Sequence, residues 1–214
     1  MINNKIKILN LSDKIYIQQK LINNFNEKQC YNLYKNKLDI IDHYKNYTKS
    51  AVLCLLTYDS FNMSLNIILT KRSKNLRHHA GQISLPGGKL DYKDKGDLKT
   101  CAFREAKEEI GFDPNNVSYL GKLNKYITNS GFLIQPIVVL AKENQNFNLN
   151  KHEVTSVLHL PINFLLSENV KSKVFYDKED NNKFYITFNW KKNKIWGATA
   201  KILLDLVDLL KIIR

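Results

Sequence analysis

Five of the eight glycines, Gly81, Gly87, Gly88, Gly96 and Gly111, fall within 31 residues of a 214-residue chain. Glycine is required where backbone must take positive φ or approach another group closely. The sharpest backbone geometry is therefore expected in this one stretch. The same window holds Pro86 and the densest carboxylate group in the protein, so chemistry is expected there too.

The rest of the chain reads as long elements. Residues 1–48 contain no Gly or Pro and carry apolar residues at helical spacing; Ser12 and Asp13 can cap a helix with Ile15, Leu21, Ile22 and Phe25 inward. This segment reads as a helical N-terminal extension to a domain over residues 49–214. Strands are expected over 51–57, 65–70, 117–127, 132–140, 155–160 and 184–190, and a closing helix over 198–213. The longest apolar run, Ala51 to Leu56, is too short to cross a bilayer. No secretion signal is visible at the first residues, and Cys30, Cys54 and Cys101 share no metal-ligand spacing. Reduced thiols and a cytoplasmic location are the expectation. Lys and Arg exceed Asp and Glu by 13, a balance suited to a polyanionic partner. The lysines are scattered rather than blocked, which argues against a dedicated nucleic-acid face; heavy use of Lys, Asn and Ile along the whole chain accounts for the excess nearly as well, and charge alone does not name the function.

Residues 97–111 read Asp-Leu-Lys-Thr-Cys-Ala-Phe-Arg-Glu-Ala-Lys-Glu-Glu-Ile-Gly. Asp97 stands where an N-cap belongs and Gly111 just past a helix end. Ala102, Phe103, Ala106 and Ile110 form one arc, and Glu105, Glu108 and Glu109 another, spaced i, i+3, i+4. Like charges at that spacing cost roughly 0.2–0.5 kcal/mol per pair, and acids near a helix C-terminus are disfavoured as well. A divalent cation would remove that penalty, and hard oxygen ligands on one rigid face suit Mg²⁺ or Mn²⁺. An ordinary solvated Glu face, partly neutralised by Lys107, is the competing reading.

Gly88, Asp94 and the run Arg104 to Phe112 resemble the box of the Nudix hydrolase family, Gly-x5-Glu-x7-Arg-Glu-U-x-Glu-Glu-x-Gly-U. Here Asp94 stands where the pattern has its first Glu, and nine residues rather than seven separate it from Arg104. The enlarged spacing places Asp94 in a loop, away from the metal face. The resemblance implies an α/β Nudix fold, a mixed β-sheet sandwiched between α-helices, with Glu105, Glu108 and Glu109 holding Mg²⁺ or Mn²⁺. Gly88 would add a backbone carbonyl, and Arg104 would orient a carboxylate.

Upstream, residues 68–88 look like a second signature, Leu-Leu-Thr-x-Arg-Ser-x3-Arg-x3-Gly-x3-Phe-Pro-Gly-Gly, that marks the coenzyme A diphosphatase branch of that family. Thr70, Arg72, Ser73, Arg77, Gly81, Pro86, Gly87 and Gly88 match in register. The resemblance runs more weakly through 128–136 and 196–200. It implies hydrolysis of the pyrophosphate of coenzyme A or an acyl-CoA. Arg72 and Arg77 would hold phosphates, and Gly81, Gly87 and Gly88 would give backbone access to the pyrophosphate. Lys71, Lys74, His78 and His79 add positive field around them. Glu105 and Glu153 are candidate bases, and the oligomeric state is left open. Two rivals remain: a Nudix hydrolase of another nucleoside diphosphate derivative, and an idle basic module that binds nucleotide or nucleic acid. The intact glutamates oppose idleness, and the Arg72–Gly81 signature opposes the other nucleotides.

Overall fold

The computed structural model describes residues 47–59, 64–142, 145–167, 170, 173–176 and 184–212. The expected N-terminal extension lies outside these residues, apart from its last two positions.

Strand β1 (Thr48–Asp59) is the axis of the molecule. It pairs parallel with β7 (Phe132–Ala141) and antiparallel with β2 (Ser64–Arg72) and β4 (Gly87–Lys89). The large sheet runs β3 (Ile83–Ser84), β2, β1, β7, β5 (Val117–Lys122). In addition β6 (Tyr126–Ile127) lies on β7 and β8 (Val154–Pro161) on β2. A second sheet has the order β11 (Asn193–Trp196), β10 (Phe184–Trp190), β9 (Lys173–Tyr176).

The unbroken apolar run of β1 follows from burial on both faces. Ala51, Leu53 and Leu55 point into one core with Ile137 and Val139 of β7, and helix α1 (Leu98–Ile110) closes it with Cys101, Ala102, Ala106 and Ile110. Cys54 and Leu56 point into the other. There, helices α2 (Ile162–Leu166) and α3 (Gly197–Ile212) supply Ile162, Leu203, Leu206 and Val207. Strand period two meets helix period 3.6 on each side, and the mixed sheet between helices is the result. Cys54 and Cys101 are buried free thiols, and burial raises the pKa of both.

Helix α1 begins and ends where its sequence directs. The Asp97 carboxylate accepts from the backbone N–H groups of Lys99 and Thr100, and Gly111 closes the helix at φ 69°. A Cβ on Gly111 would sit 2.9 Å from the backbone nitrogen of Asn148. The bare glycine lets residues 148–154 close against the helix end, where Asn148 N–H donates to Ile110 O at 2.9 Å.

Candidate active site

Helix α1 packs its small residues on β1, which brings its first carboxylates against β4. Glu109 is carried inward rather than onto a solvated arc, with 2% of its surface exposed. Its carboxylate accepts from Gly87 N–H at 3.2 Å and faces the Arg72 guanidinium at 3.6 Å. One amide and one distant cation do not replace the lost water. Burial pushes the Glu109 carboxyl up to about 8, and the charges of Glu105 and Glu153 add to the rise. Burial also raises Glu105, against the pull of Arg104.

Arg104 is the hub. Its Nε and Nη2 donate to the two oxygens of Asp94 at 2.8 and 3.0 Å. Nη2 also lies 3.0 Å from Glu105 and donates to Lys89 O, and Nη1 donates to Glu108 at 3.0 Å. The expectation that Asp94 lies in a loop away from this face is corrected. Asp94 is 1% exposed, closes a 3₁₀ turn capped by Asp91, and grips Arg104 in a bidentate pair. The guanidinium holds its carboxyl below the usual range. The two added residues are absorbed by left-handed backbone at Lys95 (φ 51°) and Gly96 (φ 80°), and Asp97 N–H donates to Asp94 O at 2.9 Å. The chain thus doubles back and presents Asp94 to Arg104.

The three glycines of the upstream signature have different surroundings. The space a side chain would fill at Gly87 is taken by β1, with Ala51 O 2.3 Å from an added Cβ. At Gly88 it is taken by the Glu105 carboxyl group, whose carbon lies at 2.4 Å. Both glycines serve close packing within the protein. Gly81 differs: at φ 71° it turns an exposed loop, and an added Cβ would meet only Lys74 at ordinary contact distance.

The two arginines of the upstream signature separate. Arg72 ends β2 beside Glu109, and its buried Nε–H has no protein partner among the described residues. Arg77 is exposed in the following loop, as are His78 and His79; the His79 ring is paired with Gln82 at 3.1 Å. Glu153 is brought to the cluster from far along the chain. Its backbone carbonyl accepts from Ser73 N–H at 2.7 Å and its side chain accepts from Asn150 Nδ2 at 3.1 Å. Neither the Arg72–Glu109 contact nor Asn150 was visible in the sequence. For Asn150 the spacing Asn-Lys-His-Glu, a side-chain donor three residues before an acid, was the available signal.

The donor set fits a hard divalent cation. It is oxygen only, it sits on one rigid helix, and it contains a buried carboxylate whose charge the protein leaves poorly compensated. Among the described residues no three ligating side chains already converge on one point, and Arg104 engages Glu105 and Glu108.

A family model described as the NUDIX domain matches residues 48–179. The chain is 37% identical over 163 residues to Nudix hydrolase 22, chloroplastic, of Arabidopsis thaliana, which covers 73% of this chain and 53% of that protein. It is 36% identical over 148 residues to a Yersinia pestis protein named as the uncharacterized Nudix hydrolase NudL, covering 68% and 73%. The chain thus spans little more than half the length of the plant relative. Among solved structures, the MutT protein of Methanosarcina mazei aligns with 78% of this chain and 96% of its own, at 18% identity and a TM-score of 0.49.

Proposed function

The chain belongs to the NUDIX domain family, and from that premise we propose that it hydrolyses the pyrophosphate of coenzyme A or an acyl-CoA, giving 3′,5′-ADP and 4′-phosphopantetheine or its acyl form. One observation carries this reading: the upstream signature and the carboxylate helix form a single site, joined where Arg72 and Gly87 N–H meet Glu109. A site with this upstream segment at its acids suits a diphosphate bearing a further phosphate.

Glu105, Glu108 and Glu109, with the carbonyl of Gly88, would hold Mg²⁺ or Mn²⁺. A divalent cation bound there neutralises the diphosphate and lowers the pKa of water. Arg72, beside Glu109 with its side chain partly exposed, would bind a diphosphate oxygen through its guanidinium. Arg77, exposed on the loop, would take the distal 3′-phosphate. Arg104, itself fixed by Asp94, orients Glu105 and Glu108. Glu153, or Glu105 in its place, takes the proton of the attacking water as one P–O bond of the anhydride breaks.

Hydrolysis of CoA, acyl-CoA, NADH, ADP-ribose and dinucleoside polyphosphates, compared at saturating Mg²⁺, tests the substrate. CoA or an acyl-CoA is expected to lead; preference for NADH or ADP-ribose would overturn it. Glu108→Gln and Glu109→Gln should each lower turnover about 100-fold or more in a folded protein. Near-wild-type rates in both would remove the metal assignment. Arg77→Ala should erase most of the preference for CoA over 3′-dephospho-CoA, roughly ten- to a hundred-fold, whereas Arg72→Ala should slow both substrates alike.

A further inference from the structure

We propose that Asn150 is a positioning residue: its side-chain amide holds the Glu153 carboxylate at the acid cluster while its backbone locks that loop to the end of α1. This rests on the reading of Glu153 as the group that takes a proton from water.

Every polar group of Asn150 is used. Its N–H donates to Glu109 O at 3.0 Å, at the C-terminal turn of α1. Its carbonyl accepts from the N–H groups of Glu153 at 3.0 Å and Val154 at 2.8 Å. Its Oδ1 accepts from His152 N–H at 3.2 Å, which closes the turn, and Nδ2 donates to Glu153 Oε1 at 3.1 Å. The same loop is tied on its other side to β2, through Ser73 N–H and Glu153 O. Asn150 therefore links the helix that carries Glu105, Glu108 and Glu109 to the strand that ends in Arg72.

The choice of an amide is chemically specific. Closing the turn needs an acceptor, and holding a carboxylate needs a donor; Asn supplies both from one side chain. Asp would close the turn and repel Glu153. An untethered Glu on a loop samples many rotamers, whereas one held at a single oxygen keeps its other oxygen for a water. The tethered residue sits between two parts of the site: its carbonyl accepts from Ser73 N–H, next to Arg72, and its partner Asn150 donates to Glu109 O.

The substitution that separates the two duties is Asn150→Asp. It keeps the turn acceptor and the backbone bonds, removes the donor and sets a like charge against the Glu153 carboxylate. With the best diphosphate substrate of the panel, Asn150→Asp should lower kcat roughly ten- to fifty-fold with KM and Tm little changed. In a Glu153→Gln background the same change should cost less than about two-fold, because the two residues act as one unit. Equal losses on both backgrounds, or a loss that tracks Tm, would overturn the positioning role. Wild-type turnover of Glu153→Gln would instead overturn the reading of Glu153 and this role with it. A second measurement does not depend on turnover. The Asn150 side-chain amide protons of the full chain should exchange slowly with water and shift in Glu153→Gln; signals identical in both proteins would refute the tether.

Discussion

A carboxylate with one amide donor and a guanidinium 3.6 Å away is an expensive thing to bury, and Glu109 is such a group. Its carboxyl keeps its proton further up the pH scale in the folded chain than in the unfolded one. Folding then binds a proton between the two values, and the folded state loses stability as pH rises from the usual 4.5 toward about 8. Melting in EDTA should show this decline, and Glu109→Gln should flatten it. Added Mg²⁺ should raise Tm most at the alkaline end, where the carboxylate is free of its proton. Asp94 carries the opposite balance, since its bidentate pair with Arg104 is satisfied. Asp94→Asn should cost roughly 2–3 kcal/mol by breaking a buried charge pair. Glu108, whose side chain is 53% exposed, should lose no more than about 0.5 kcal/mol as Gln. Turnover of Asp94→Asn should fall roughly ten- to a hundred-fold, the usual effect of removing a group that orients ligands. Thermal melts of the two variants side by side would reverse the ranking if Asp94 were a loop acid.

Adjacent glycines in β4 make separable demands. At Gly87 an added methyl meets the backbone of β1, which has nowhere to go; at Gly88 it meets the end of a Glu side chain, which can swing away. Gly87→Ala should therefore unfold or sharply destabilise the protein. Gly88→Ala should stay folded and lose turnover, because Glu105 is expelled from its seat; circular dichroism and a rate assay on each variant decide it. The long elements were legible in the sequence because each is a continuous apolar run, as in β1, or a helical period, as in α1 and α3. Strands over 51–57, 65–70 and 132–140 lie within β1, β2 and β7, and both caps of α1 were readable from single residues. Strands β3 and β4, two and three residues long, carry no period to read. Of the site, the helical spacing revealed Glu105, Glu108 and Glu109 but not that Glu109 turns inward. That depends on β4 lying over the helix. The partner of Asp94 stayed hidden because Gly96 announced a turn, but nothing in Lys95 showed that it too is left-handed and that the chain doubles back on Arg104.

Across the whole molecule the positive excess acts on encounter rather than on chemistry. With 33 basic against 20 acidic side chains, an anionic substrate is drawn in by a field that salt screens over about 10 Å at 0.1 M. kcat/KM should fall as NaCl is raised while kcat holds; parallel loss of both would assign the charge another purpose. The central pairing of the sheet also has a consequence in time. β1 and β7 run parallel with Leu53 opposite Ile137, a closure of 84 residues, and the acids of α1 meet Arg72 and Glu153 only once β2, β4 and β8 have joined. Contacts so distant along the chain form slowly, whereas a capped 13-residue helix can form early. A refolding chain should therefore regain helical signal before it regains turnover, and a nascent chain ending before Asn150 would carry the acids of α1 without the loop that bonds to Glu109 O.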